Sequence, residues 1–236
     1  MMKFIPVRWM PALLILLTAC GSNQAREYVS DAQTLNLEMI RGAVPAIRNG
    51  DVILRSGRDF TSYRIRELSE NDKTYSHAGI AFVTDSGVFV YHITPPDLDE
   101  EKGDTLMRLE SLERFARPDK NSGFGITRFP VSEEEAFTGL RYLDSIKKTG
   151  VAFDHLFDLR TADRIYCSEM IDNTFRYATN GRISLLRKNF DEYKARRVAK
   201  YLRASVKLVM TRQYIPIDNI HNYPGSKTIF EYTFIK

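Results

Sequence analysis

The chain has 236 residues, 43% of them hydrophobic and 27% charged, an ordinary globular composition with length enough for one domain and a full core. Its formal charge of +4 falls to +2 once Lys3 and Arg8 leave with the leader described below, too little for a nucleic-acid footprint. The basic run of Arg196, Arg197 and Lys200 reads as a solvated helix face rather than a phosphate site.

Residues 1–20, MMKFIPVRWMPALLILLTAC, carry a basic start, a short apolar run from Trp9 to Leu17, and Leu-Thr-Ala-Cys. The run is too short to span a bilayer as a helix. Leu17 to Cys20 resembles a bacterial lipobox, which implies a lipoprotein signal peptide over residues 1–19, cleavage before Cys20, and a lipid anchor on Cys20. An ordinary secretory signal is the alternative. Gly21, rather than Asp, suggests the outer membrane, facing the periplasm, in a cell with two membranes. Residues 20–43 are polar and mixed without a sustained apolar period, and are expected to form a lipid-anchored tether with a helical turn or two.

The domain is expected over residues 44–236. An Asn49-Gly50 turn precedes a short strand, Val52 to Leu54, and Thr61 to Leu68 reads as a short helix. Two β-rich runs, SHAGIAFV and VFVYHIT, flank the turn cluster Thr84-Asp85-Ser86-Gly87 and predict a hairpin. Pairing Val83 with Val88 sets His77 opposite Thr94 and His92 opposite Gly79. His77 and His92 then share one face as diagonal neighbours, roughly 7–8 Å apart in backbone, with open space over Gly79. Further strands are expected at Thr105 to Arg108 and Gly125 to Phe129.

Ser132 with Glu135 forms a capping box, and Ala136, Phe137, Leu140, Leu143 and Ile146 make an apolar stripe ending at Gly150. A second helix is expected from Cys167 to Thr179, closed by Asn180-Gly181, a third from Phe190 to Arg203, and a strand-like run in the tail. Strands early and helices late predict an α+β domain rather than a doubly wound sheet.

Of the two cysteines, lipid on Cys20 would leave Cys167 the single thiol, so no intrachain disulfide forms. A helical wheel puts Cys167, Met170, Ile171, Thr174, Phe175 and Ala178 on one side, with Glu169, Asp172, Asn173 and Arg176 on the other. Cys167 thus begins the buried face in the first helical turn, where unpaired N–H groups and the dipole can lower a thiol pKa and hold an oxyanion. Glu169 reads as an acidic first-turn residue pointing away from the thiol. His77 and His92 supply a base and a group to orient it. His155 is the reserve for that third position, and His221, in a turn-rich tail, reads as structural. One cysteine and two histidines could also hold zinc, but neither HExxH spacing nor a CxxC pair appears, and a helix-start thiol needs no metal to ionise. No cofactor is expected.

These residues carry a resemblance. YSHAGIAF (Tyr75 to Phe82), His92, and FDHLFDLRTADRIYCSEMI (Phe153 to Ile171), with GDVIL (Gly50 to Leu54) as a first strand, resemble the YiiX-type, circularly permuted papain-fold branch of the NlpC-like cysteine hydrolase superfamily. The resemblance implies an antiparallel sheet or small barrel packed against a helix that starts with the nucleophile. It also implies Cys167 as nucleophile, His77 as base and His92 as the residue orienting it. Some YiiX-type relatives have Glu where this chain has His92. Tyr177, on the edge of the same helix, is a candidate to line the site, with core packing as its alternative role.

The expected activity is hydrolysis of an amide bond in a peptidoglycan peptide or related envelope conjugate through a thioester. A lipid-directed thioesterase or acyltransferase and a catalytically silent ligand-binding lipoprotein are the alternatives.

Overall fold

The computed structural model describes residues 21–95 and 106–236, with residues 21–30 as backbone. The leader, Cys20 and Thr105 lie outside the described residues. In chain order the elements begin with helix α1 (Gly21–Ala43), β1 (Val52–Gly57), α2 (Phe60–Arg66), β2 (His77–Thr84), β3 (Gly87–His92), β4 (Arg108–Ser111), α3 (Leu112–Ala116), β5 (Asn121–Arg128) and α4 (Glu133–Lys148). They continue with β6 (Ala152–Phe153), β7 (Arg164–Ile165), α5 (Cys167–Ala178), β8 (Lys188–Asn189), α6 (Glu192–Ala199), α7 (Val206–Val209), β9 (Gln213–Tyr214), α8 (Asp218–His221) and β10 (Lys227–Thr233).

The main sheet has the order β10-β5-β1-β2-β3-β4, and every neighbouring pair is antiparallel. The fold is therefore α+β on an antiparallel sheet. Its edges, β10 and β4, do not pair with each other, so the sheet is open rather than a closed barrel. Both faces are covered, which is why β1 reads Val-Ile-Leu without polar alternation. Val52 and Leu54 join Ala78, Ile80 and the α5 residues Met170, Ile171 and Phe175 on one face. Ile53 joins Ala81, Val90, Phe124 and Ile126 on the other, under Ile40 and Ala43 of α1 and Leu112 and Phe115 of α3.

The hairpin has the expected register: Val83 pairs with Val88 and Ile80 with Tyr91. The space expected over Gly79 is filled, because a Cβ there would lie 2.4 Å from Val90 Cγ1 and 2.7 Å from the Tyr91 carbonyl oxygen. The α4 capping box forms in full: Ser132 Oγ accepts from the Glu135 N–H, and the Glu135 carboxylate accepts from the Ser132 N–H at 2.8 Å. Gly150, at φ 75°, closes that helix.

Three expectations need correction. The segment read as a tether is the 23-residue helix α1, with Ala32, Asn36, Ile40 and Ala43 buried against the domain. The strand after the hairpin runs from Arg108 to Ser111, about three residues beyond its expected place, while Leu106 makes an isolated bridge to Ala152. The third expected helix is shorter: Asp191 caps it by accepting from the Lys194 N–H, and it ends at Ala199. No helix among the described residues is long and apolar enough to cross a membrane.

Candidate active site

One residue from each of four adjacent strands forms a row on a single face of the sheet. Arg55 of β1 stands directly opposite His77 of β2. His77 Nε2 lies 3.1 Å from His92 Nδ1 of β3, with the rings edge-on at 81°. His92 Nε2 lies 2.9 Å from Glu110 Oε1 of β4. Phe115 of α3 roofs the row, its ring centroid 5.6 Å from that of His77, 5.1 Å from that of His92, and 4.7 Å from the Arg55 guanidinium carbon. Arg55 Nη1 also donates to the Phe115 carbonyl at 2.9 Å, which fixes the roof to the row.

Burial pushes the His77 pKa well below the usual histidine value, and the charge of Arg55 and the His92 ring push the same way. His77 is thus neutral at pH 7. Burial alone would raise Glu110, but contact with His92 and the charges of Arg55 and Arg114 hold it below the usual carboxylate range.

Cys167 is the first residue of α5, and Tyr166, its N-cap, offers the helix start no side-chain hydrogen bond. The thiol belongs to the core on the Ala78 and Ile80 face, the opposite face from the histidine row. Burial pushes its pKa up, against the Ala78 N–H, the Ser168 hydroxyl and N–H, and the Arg55 charge, which all favour the thiolate. The lowered pKa expected from the helix start is therefore corrected. Desolvation outweighs the dipole, and the resting pair is a thiol beside a neutral imidazole.

Thiol and imidazole line one cavity at the strand end. A cavity of about 260 Å³ opens where β1 finishes and β2 begins, lined among others by Arg55, Ser76, His77, Phe153, Tyr166 and Cys167. Among the hydrogen bonds of the described residues none joins Cys167 to His77. The two groups share the cavity and reach it from opposite faces, an arrangement that substrate binding can tighten.

The remaining candidates separate cleanly. His155 is exposed and packs edge-on against Phe153, so His92 is the ring beside His77. His221 contacts Asp72 Oδ2 at 2.8 Å and packs on Tyr75, as befits a structural residue. Tyr177 is 59% exposed and stacks on Tyr142 at 4.8 Å, outside the cavity, so the suggestion that it lines the site is corrected. Ten residues at 100° carry it nearly a quarter-turn off the thiol's direction. Glu169 points away from the thiol as expected but is only 4% exposed, and burial followed by the Asp154 charge raises its pKa to about 8.

Glu110, Arg55 and Phe115 were not found from sequence. Arg55 was within reach, because β1 pairs with β2 and the hairpin had placed His77.

A metal fits these residues poorly. Each histidine spends Nε2 or Nδ1 on the other, His92 Nε2 faces the Glu110 carboxylate at 2.9 Å, and among the described residues no three His, Cys, Asp or Glu side chains are gathered as ligands.

No family model matches the chain, and no curated protein matches it. Among solved structures the fold is similar to that of YiiX from Escherichia coli, described as a metalloprotein of DUF1105. The match has a TM-score of 0.62 at 15% identity and covers 79% of this chain and 98% of that one. The relationship to YiiX is one of fold.

Proposed function

We propose that the chain is an envelope lipoprotein, anchored through Cys20, whose Cys167–His77–His92 site hydrolyses an amide bond in a peptidoglycan peptide or related conjugate. The observation that carries this reading is a buried neutral histidine, hydrogen-bonded to a second histidine, in one cavity with a helix-start thiol. A histidine strand preceding a cysteine helix fits the permuted papain-like order, and the likeness in fold to YiiX supports it.

His77 Nε2 is occupied by His92, so Nδ1 is the nitrogen available to take the Cys167 proton as sulfur attacks the carbonyl carbon. The backbone N–H groups at the start of α5 stabilise the oxyanion. The imidazolium returns the proton to the leaving amine, and a water, deprotonated by the same nitrogen, releases the acyl group from the thioester. Attack and proton transfer are concerted here, because the resting pair is uncharged.

The cavity wall also contains Ile65, Phe153 and Phe157, which suits an acyl chain and favours a lipid-directed thioesterase or acyltransferase as the second reading. The experiment offers the protein peptidoglycan peptides and acyl thioesters, and weighs the adduct trapped on Cys167. A peptide-acyl adduct, with Cys167→Ala lowering kcat/KM by about 10³-fold or more, is the expected result. An acyl-chain adduct selects the second reading. Equal rates for Cys167→Ala and wild type on every substrate would leave a silent ligand-binding lipoprotein.

A further inference from the structure

We propose that Glu110 is a positioning residue that decides which nitrogen of His77 is bare, acting through the ring of His92. The proposal rests on the reading of His77 as the base. It concerns proton placement, which geometry constrains even where hydrogens are not seen.

An ionised carboxylate accepts hydrogen bonds and cannot donate them. Glu110 Oε1 lies 2.9 Å from His92 Nε2, off the line a ring N–H would take, so the link is electrostatic: the proton of a neutral His92 ring sits on Nε2, since a bare Nε2 would set a lone pair against the carboxylate. His92 Nδ1 is then bare and can only accept. The 3.1 Å contact between the rings requires one proton, which His77 Nε2 must supply. His77 Nδ1 is left without a proton, and it is the nitrogen not committed to His92. Carboxylate, ring and ring form a one-way chain whose last member is a base rather than a donor.

Two features hold the first link in place. The Glu110 carboxylate is nearly buried and uses its other oxygen for Arg114, whose Nε lies 3.2 Å from Oε2. Arg55, opposite His77, places a cation at the other end of the row and is tied to the Phe115 roof over both rings. Glu110 is also two residues beyond the direct partner of His92, which is Arg108, so it reaches the ring diagonally on the same face.

The test reads ring nitrogens directly, without substrate. Long-range ¹⁵N–¹H spectra of the ¹⁵N-histidine-labelled protein at pH 7 are expected to show His92 and His77 both protonated at Nε2 and bare at Nδ1. In Glu110→Ala both rings should lose that single pattern, and Glu110→Asp should restore it in part. A proton on His77 Nδ1, or an imidazolium at His92, in the wild-type spectrum would overturn the proposal. So would an unchanged pattern in Glu110→Ala. If Glu110→Ala does not fold, the wild-type spectrum and Glu110→Asp still decide. Failure of the hydrolase reading would appear instead in the Cys167 adduct experiment, which leaves these spectra untouched.

Discussion

Glu169 sits two residues past Cys167 with Oε2 lacking a hydrogen-bond partner among the described residues, and the Asp154 and Asp172 carboxylates nearby. With its pKa raised to about 8 it is protonated at neutral pH. A folded-state value above the unfolded one contributes stability that is complete below about pH 4.5 and drains away as pH rises through 8. Glu169→Gln keeps the shape and removes the titration. Thermal unfolding across pH 5 to 9 should therefore find the variant level with wild type near pH 5 and several degrees more stable at pH 9. A constant difference in Tm at every pH would refute the burial argument. Asp154, also raised by burial, leaves a parallel pH dependence in both proteins. The direction of Glu169 was legible from helical spacing; its burial was not. A wheel gives the direction of a side chain but not what waits there, which in this case is the Asp154 segment and the Arg187 turn.

At the scale of elements, legibility followed the length of the connection. Asp85 and Ser86 alone separate the paired residues Thr84 and Gly87, so the turn fixes the register of β2 on β3 and the sequence could place His77 beside His92. Between His92 and Arg108 the connection is long and the sequence sets no register across it, so β4 fell three residues from its expected place and Glu110 went unseen. Gly79 shows how closely the hairpin holds the pair. An alanine Cβ there would meet the Tyr91 carbonyl oxygen at 2.7 Å and His92 Cβ at 3.1 Å, so β3 must move. Gly79→Ala should cost about 1–3 kcal/mol, seen as a lowered Tm, and should lengthen the His77–His92 hydrogen bond, seen as a changed ¹⁵N pattern in both rings. Wild-type values on both measures would mean that β3 yields without disturbing the row.

The whole molecule is tied at its ends by an element that composition concealed. Among the described side chains of α1 the buried ones are Ala32, Asn36, Ile40 and Ala43, spaced four, four and three apart, but an alanine and an asparagine dilute the apolar signal. Asn36 earns its buried place through Ile235: its Nδ2 donates to the Ile235 carbonyl and its Oδ1 accepts from the Ile235 N–H, both at 2.9 Å. The second half of α1 thus covers the Ile53, Ala81 and Val90 face while clamping the segment after β10, and Arg41 adds an ion pair to Glu113 beside Phe115. A helix of this length extends about 35 Å, so lipid on Cys20, as proposed, would be joined to a rigid rod rather than to a slack tether. The boundary at residue 44, read from the turn before β1, is therefore the wrong place to begin the folded unit. A chain starting at residue 44 should unfold well below one starting at residue 21, because it uncovers the face that also supports Phe115 and the histidine row. Asn36→Ala in the longer chain should fall between them, losing about 1–3 kcal/mol for the unmade pair of hydrogen bonds. Equal melting temperatures for the two lengths would reduce α1 to a passenger, and the site would then owe its roof to α3 alone.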